Sequence, residues 1–297
     1  MSPDSGVSIA QVIAARHSVR SYRPEALPAQ MLDAVMAAGA DSVALDPSIR
    51  LRFALQADGP AFLGRLGGGL ASYGRILNAP HYIVAISETR PGYMTNAGFR
   101  MEQMILHATS LGLGTCWLGG LYRRRQVGEI LGIGADEQVV AITPLGYPAG
   151  GAGALVGRTI KLLTPRRGQR RPLAELVYAG RWGAPAEALL AAQPALRAML
   201  EAARLAPSWV NSQPWRFIAS ENNASENDLV IAVTRPTGQT ELPYYLLDGG
   251  IAMSHVYLVA REVGRPASWD CRPETLAPLR AQLGIPPRYE ALGRLAW

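Results

Sequence analysis

The sequence predicts an α+β protein built from two tandem, related halves. Each half runs through a helix, two strands and a long helix that ends at a glycine. Local sequence recurs as well, because residues 96–101 (NAGFRM) align with residues 248–253 (DGGIAM). A shared order, spacing and placement of glycines favours duplication over chance similarity of two α+β segments. We therefore expect halves at residues 1–183 and 184–297 that pack as an intramolecular pseudo-dimer.

The first half alternates helical periodicity with short apolar runs. Helices are predicted at residues 9–15, 28–39, 98–111 and 124–131, where apolar side chains recur every three or four positions or where glycines end the run. Strands are predicted at residues 51–56, 82–87 and 139–145. The run Ile83-Val84-Ala85-Ile86 is typical of a strand that is buried on both faces.

The second half follows the same plan. Helices are predicted at residues 194–205 and 249–264, and strands at residues 215–220 and 229–234. Residues 149–153 are rich in glycine and alanine, and residues 166–172 form a basic loop. Gly183-Ala184-Pro185 is the predicted connection between the halves.

Composition limits the class of protein. Hydrophobic residues make up 48% of the 297 residues and charged residues 18%, which is typical of a globular chain. The absence of a long apolar run or an export signal predicts a cytoplasmic protein without a membrane span. Two cysteines, Cys116 and Cys271, suit a reducing compartment, and Cys116 is interpreted as a small buried side chain. The four histidines show no metal-ligand spacing, so we expect no metal site.

The net charge of +6 comes partly from arginine clusters at residues 123–125 and 166–171. Neither cluster carries interleaved aromatic residues or a DNA-binding motif, so nucleic acid is not an expected partner. A small molecule with a phosphate group accounts for clustered arginines equally well.

Two segments have the composition of ligand-binding sites. Arg16, Ser18 and Arg20 occupy alternate positions, and in an extended chain alternate side chains point to the same face. The three side chains could therefore bind one anion together. The alternative is a solvated basic turn. The segment Ala206–Trp215 joins prolines to short polar side chains ahead of a strand, which suits hydrogen bonds to the polar edge of a ring. The alternative is an ordinary turn, in which Asn and Pro are common.

These residues resemble the signatures of the nitroreductase family. The opening signature is similar to residues 16–24 (RHSVRSYRP), and a second one is similar to Pro207-Ser208 with residues 211–215 (NSQPW). Further family segments are similar to residues 112–120 (GLGTCWLGG), 145–148 (LGYP) and 170–173 (RRPL). Together they cover most of residues 9–180 and 195–270. Gly112-x-Gly114 follows a helix and lacks a third glycine, so it does not indicate a Rossmann motif.

The resemblance implies a homodimeric α+β fold with FMN at the subunit interface. In the family, the Arg-x-Ser-x-Arg segment and the C-terminal basic segment hold the phosphate and ribityl chain. The Gly-rich turn faces the flavin ring, and the Pro-Ser-x-x-Asn segment comes from the partner subunit. The implied cofactor-binding residues here are Arg16, His17, Ser18, Arg20, Gly119, Gly120, Arg170, Arg171, Pro207, Ser208, Trp209 and Asn211.

This chain departs from the family pattern because it divides the signatures between its halves. The first half has residues 39–44 (GADSVA) where Pro-Ser-x-x-Asn is expected, and the second half has no Arg-x-Ser-x-Arg. This complementary loss predicts one FMN per chain at the interface of the two halves. Since the family dimer is already fused, we expect a monomer or a weak homo-oligomer.

By the same resemblance, NAD(P)H is the expected electron donor and a nitroaromatic, quinone or enone the expected acceptor. Backbone amides of Gly119 and Gly120 are expected to donate to the ring edge. No side chain is identified as a general acid, so the catalytic residues stay open. Two alternatives are a protein that binds or stores flavin without reductase activity, and a structural relic without flavin.

Overall fold

The chain forms two compact units in a computed structural model that describes residues 7–66, 78–120, 122–149, 169–220, 228–236, 242–265 and 267–296. Of these, residues 15–93 and 100–149 belong to unit 1, and residues 7–14, 94–99 and 169–296 belong to unit 2. The units divide before the predicted boundary at residue 183, because β5, defined below, is hydrogen-bonded within the sheet of unit 2. The predicted segments at residues 150–153 and 166–168 lie outside the described residues.

Unit 1 contains a four-stranded antiparallel sheet in the order β1-β2-β4-β3. Its strands are β1 (Leu51–Gln56), β2 (His81–Glu88), β3 (Gly114–Thr115) and β4 (Glu137–Gly146). In the described residues its helices are Ala29–Ala40, Gly59–Arg65, Arg124–Leu131 and most of Tyr93–Ser110, whose residues 94–99 belong to unit 2. Every β2 residue except the last is buried, as the continuous apolar run predicts.

Unit 2 contains a five-stranded sheet in the order β5-β6-β7-β9-β8. Its strands are β5 (Val177–Ala179), β6 (Trp215–Ala219), β7 (Asp228–Thr234), β8 (Ser268–Asp270) and β9 (Tyr289–Ala296). Only the pairing of β5 with β6 is parallel. Its helices in the described part of the chain are Ile9–Ala15 (without Ala15, which belongs to unit 1), Leu173–Leu176, Glu187–Ala192, Pro194–Arg204, the short 3₁₀ helix Trp209–Asn211, Tyr244–Glu262 and Pro273–Gln282.

The topology of each sheet confirms the internal repeat. The order β6-β7-β9-β8 repeats β1-β2-β4-β3, again with antiparallel pairs throughout. In both sets a long helix connects the second strand in the chain to the third. A register shift interrupts β2 and β4 at Ala85/Ile86, and another interrupts β7 and β9 at Ile231/Ala232. Chance similarity does not account for agreement in strand order, pairing and irregularity together.

Two glycines allow helices to cross closely within unit 2. A Cβ atom on Gly98 would lie 2.2 Å from the carbonyl oxygen of Leu247, and one on Gly250 would lie 2.0 Å from that of Thr95. Gly98 and Gly250 occupy equivalent positions in the repeat. Gly98 contacts Leu247, three residues before Gly250, and Gly250 contacts Thr95, three residues before Gly98. The two contacts are therefore reciprocal.

The predicted starts of both long helices are wrong. The helices begin at Tyr93 and Tyr244, five residues before Gly98 and Gly249. The sequence suggested that these glycines precede the helices because glycine disfavours helix interiors. Close packing accounts for the interior glycines in the folded chain: an added Cβ on Gly98 would meet helix backbone, and one on Gly249 would lie 2.3 Å from the Leu292 side chain of β9.

Several elements were not predicted, among them β5, β8, β9 and the helix Pro273–Gln282. The sequence of β9, YEALGRLA, has no strict alternation of apolar and polar residues, and the helix contains Pro278. The remaining predicted helices and strands are confirmed within two residues at each end. None of the helices in the described residues combines the length and apolar character needed to cross a membrane.

Candidate functional site

The first predicted binding segment, residues 16–20, lies beside the Gly-rich segment of unit 1. Ser18 forms a parallel bridge with Thr115, and the backbone N–H of Val19 donates to the Thr115 carbonyl at 2.9 Å. Gly114 supports this close approach, since an added Cβ would lie 2.9 Å from the Val19 side chain. The structure thus brings two segments together that are separated by about 95 residues in the sequence, as the resemblance implies.

Arg16 is buried, which argues against a solvated basic turn. Its side chain is only 5% exposed, and its Nε lies 3.9 Å from a carboxylate oxygen of Glu102. Neither Nε nor Nη1 has a hydrogen-bond partner in the described part of the chain. A buried guanidinium with unused donors is costly unless an anion completes its shell. Arg16 therefore has the donors to hold an anion.

His17 and Arg20 are placed differently from Arg16. His17 is exposed, and its Nδ1 donates to the Ala15 carbonyl at 3.1 Å. Arg20 is half-buried, and its Nη1 donates to the Ser18 carbonyl at 3.3 Å. Of the predicted cluster, Arg16 therefore lies inside the protein, Ser18 and Arg20 at its surface and His17 in solvent.

Glu102 connects the arginine to the Gly-rich segment. Its side chain is fully buried and accepts a hydrogen bond from the indole Nε1 of Trp117 at 2.8 Å. One carboxylate thus faces Arg16 and binds Trp117, which lies two residues before Gly119. Glu102 was not predicted as a site residue, because a single acid within an apolar helix carries no motif.

Arg124 holds the Gly119–Gly120 turn in place. Its guanidinium donates to the Gly119 carbonyl, to the Tyr122 hydroxyl at 2.8 Å and to the Val139 carbonyl at 3.1 Å. A Cβ atom on Gly120 would meet no atom within 4 Å among the described residues. The turn therefore has open space beside it and a fixed backbone, which suits a planar ligand approaching its amides.

The second predicted segment lies in unit 2 and has a strained backbone. Val210, Asn211 and Gln213 have φ of 45°, 58° and 48°. A β-branched residue such as valine rarely takes a positive φ, and Val210 is 58% exposed, so core packing does not explain its conformation. Strain of this kind is concentrated at functional sites. The observation favours a binding role for the segment over an ordinary turn.

A network of hydrogen bonds surrounds Asn211. Its Oδ1 accepts from Nη1 of Arg170 at 2.7 Å, and its Nδ2 donates to the Gln169 carbonyl at 2.8 Å. The buried side chain of Gln213 accepts from the backbone N–H of Arg171 at 2.9 Å and donates to the Gln169 carbonyl at 3.2 Å. Ser208 Oγ accepts from the backbone N–H of Gln213 at 3.0 Å.

The two arginines predicted to hold a phosphate both contact protein groups. Arg170 binds Asn211 and donates through Nη2 to the Leu205 carbonyl at 2.9 Å. Arg171 donates to the carboxylate of Glu175 at 2.9 Å, with 39% of its side chain exposed. Their guanidinium groups thus lie on unit 2 itself, and phosphate binding by them stays a prediction.

Asp248 supports the same segment from the long helix Tyr244–Glu262. Its Oδ2 accepts from the backbone N–H of Trp209 at 3.0 Å, and the residue is 2% exposed. Burial raises the pKa of Asp248 well above its ordinary value of 3.8, while the Trp209 hydrogen bond lowers it. Trp209 itself is half-buried.

We expect Asp248→Asn to raise the free energy of unfolding at pH 7 by about 0.5–2 kcal/mol. Because the folded-state pKa of Asp248 is raised, its contribution is fully present below the unfolded pKa and is lost as pH rises through the folded pKa. Asparagine keeps an oxygen acceptor for Trp209 and does not titrate, so the gain should grow as pH increases above about 4.

Thermal unfolding between pH 4 and pH 8 measures this difference. Asp270→Asn is the control, because its hydrogen bonds with Arg272 lower the pKa of Asp270 and should give the opposite sign at neutral pH. A pH-independent difference between Asp248→Asn and the unchanged protein would contradict the raised pKa.

Comparison with known proteins identifies the family. The profile of a family described as "Putative TM nitroreductase" matches residues 8–260. A structure from Thermotoga maritima, described as "a putative nitroreductase", has a TM-score of 0.59 at 23% identity, covering 97% of this chain and 93% of that chain. This similarity shows the same fold over nearly the whole chain.

Two further structures match smaller parts of the chain. A nitroreductase with bound FMN from Bacteroides fragilis has a TM-score of 0.42 at 23% identity, over 49% of this chain and 91% of that chain. A nitroreductase family protein from Clostridium novyi has a TM-score of 0.43 at 22% identity, over 60% of this chain and 97% of that chain. No curated protein matches the chain. Since the family profile covers most of its length, this protein belongs to that family of nitroreductases.

Proposed function

We propose that the chain is an FMN-dependent oxidoreductase that takes electrons from NAD(P)H and passes them to a nitroaromatic, a quinone or a related small acceptor. The single observation that supports the cofactor is Arg16, whose buried guanidinium has two nitrogens without a hydrogen-bond partner in the described residues. Membership of the nitroreductase family supports the redox chemistry. When bound, FMN supplies that chemistry, and the protein supplies binding and orientation.

The residues of unit 1 fit the phosphate and ring of this cofactor. Arg16 and Arg20 offer planar donors to the phosphate, with Ser18 between them. The Gly119–Gly120 turn has open space beside its backbone, so its amides fit the polar edge of a ring. Neither amide donates to another group in the described residues, which leaves them available.

We propose one FMN per chain, with contributions from both halves packed as a pseudo-dimer. The division of the signatures between the halves supports this stoichiometry, since Pro207, Ser208 and Asn211 have no equivalent at residues 39–44. The strained turn at residues 208–213 supports a ligand-facing role for the second half. The cytoplasmic location and the monomeric or weakly oligomeric state stay predictions.

An anaerobic visible spectrum tests whether the chain is an enzyme. The purified chain is expected to bind one equivalent of FMN, and NADH or NADPH is expected to bleach its absorbance until a quinone or nitrofuran restores it. Bound FMN that neither nucleotide bleaches would instead support a flavin-storage protein. A colourless chain that takes up no FMN would contradict both functions.

Arg20→Ala is expected to weaken FMN binding by about 1.5–3 kcal/mol, since it removes a charge-assisted hydrogen bond to the phosphate. Arg20 is half-buried and forms no ion pair in the described residues, so this substitution should affect folding less than removal of Arg16. Titration of the folded apoprotein with FMN, followed by flavin fluorescence, measures the change in affinity.

Arg125→Ala is the matched control for charge. Its side chain is 93% exposed and pairs with Glu129, so the net charge falls equally at a solvent-exposed position. Equal losses in both variants would show a non-specific effect of charge, and an unchanged affinity in Arg20→Ala would place the phosphate elsewhere.

A further inference from the structure

We propose that Arg170 is a positioning residue that holds Asn211 for the flavin ring, and not a ligand of the cofactor phosphate. The proposal rests on the proposed function, because it assigns a role within the same FMN site. It departs from the role that the family resemblance implies for the basic segment. The contacts that support this role all lie within unit 2.

The turn at residues 208–213 needs external support. Three of its six residues, Val210, Asn211 and Gln213, have a positive φ without being glycine. Each such conformation costs on the order of 1–3 kcal/mol and persists only when its surroundings stabilise it. Val210 is largely exposed, so the support has to come from hydrogen bonds on the other residues of the turn.

Residues 169–171, here called the strap, supply those hydrogen bonds. Nη1 of Arg170 donates to Oδ1 of Asn211 at 2.7 Å, a short distance for a bond with a charged donor. The opposite side of the same amide donates to the Gln169 carbonyl at 2.8 Å. Because both ends of the Asn211 amide are bound, the plane of that side chain is fixed.

The remaining contacts tie the strap to the body of unit 2. Nη2 of Arg170 donates to the carbonyl of Leu205, the residue that caps the helix Pro194–Arg204. Gln213, which is 5% exposed, binds the backbone of Arg171 through Oε1 and that of Gln169 through Nε2. One planar guanidinium thus connects a helix end to a strained turn, an arrangement that lysine cannot reproduce.

The two roles differ in which part of the cofactor they serve. Removal of a phosphate ligand lowers the affinity for FMN and leaves the affinity for riboflavin unchanged, because riboflavin lacks the phosphate. Removal of a residue that positions Asn211 against the ring lowers the affinity for both flavins by the same factor. The ratio of the two losses therefore separates the roles without any measurement of turnover.

The experiment measures dissociation constants of FMN and riboflavin for the full chain and three variants. Arg170→Ala is expected to weaken both flavins about equally, on the order of tenfold. Arg170→Lys should behave in the same way, since it keeps the charge and loses the planar fork. Arg20→Ala is the control and should weaken FMN alone. A loss confined to FMN in Arg170→Ala, rescued by Arg170→Lys, would overturn the proposal.

A second measurement does not depend on flavin. The unfolding midpoints of the apoproteins Arg170→Ala, Asn211→Ala and the double variant form a double-mutant cycle. We expect the double variant to lose clearly less than the sum of the single losses, since both changes remove the same contact. Additive losses would overturn the positioning role. If the unchanged protein binds neither flavin, the proposed function fails, and this cycle still decides whether Arg170 holds Asn211.

Discussion

Replacing Gly250 by alanine is expected to lower the free energy of unfolding by at least about 3 kcal/mol. The added Cβ would lie 2.0 Å from the carbonyl oxygen of Thr95 and 2.9 Å from its carbonyl carbon, so helix backbone, not a movable side chain, has to shift. Gly98→Ala meets the Leu247 carbonyl at 2.2 Å and should cost a similar amount, because the two contacts are reciprocal. Urea unfolding of each variant measures the loss.

Gly64→Ala is the matched control for both glycines. Gly64 is an exposed position of the helix Gly59–Arg65, and an added Cβ would meet no atom within 4 Å in the described residues. Alanine should therefore raise the free energy of unfolding there by about 0.5–1 kcal/mol through its higher helix propensity. A gain at Gly250 like that at Gly64 would contradict the close helix crossing.

Replacing Glu102 by leucine is expected to cost about 3–5 kcal/mol, since it leaves the Arg16 charge buried without a carboxylate. The side chains of this pair are 5% and 0% exposed, so water does not replace the lost partner. The same change removes the acceptor of the Trp117 indole N–H. Glu102→Gln keeps an oxygen for Trp117 and should lose less, and urea unfolding measures both variants.

Glu129→Leu is the control for the loss of a glutamate from an ion pair. Its carboxylate is 63% exposed and its partner Arg125 is 93% exposed, so we expect a change of less than about 1 kcal/mol. Losses of equal size in Glu102→Leu and Glu129→Leu would show that burial adds nothing to the Arg16–Glu102 pair.

Most of the fold was predictable because local spacing encodes it. The apolar run of β2 and the periodicity of Arg124–Leu131 require no knowledge of distant contacts, and both elements agree closely with the prediction. The starts of the long helices were not predictable, since a glycine inside a helix and a glycine before one look alike in the sequence. Only the neighbouring backbone explains why Gly98 and Gly250 lie in helix interiors.

The candidate site was predictable as a set of motifs, but not as a set of roles. The spacing of Arg16, Ser18 and Arg20 suggested a shared direction, yet the three residues differ in burial. Arg170 looked like a phosphate ligand because its charge was the only visible property. Its contact with Asn211 joins residues 41 positions apart and became visible only in the folded chain.

Sequence information was sufficient for the α+β class, the internal repeat, the family resemblance and the two segments of the candidate site. These follow from short-range periodicity, glycine and proline positions and motif spacing, all of which are properties of neighbouring residues. The tertiary structure alone decided the close helix crossing, the burial of Arg16 beside Glu102 and the anchoring of the strained turn by Arg170. Each of these depends on groups distant in sequence that come within 4 Å, where desolvation and hydrogen bonding set the energy.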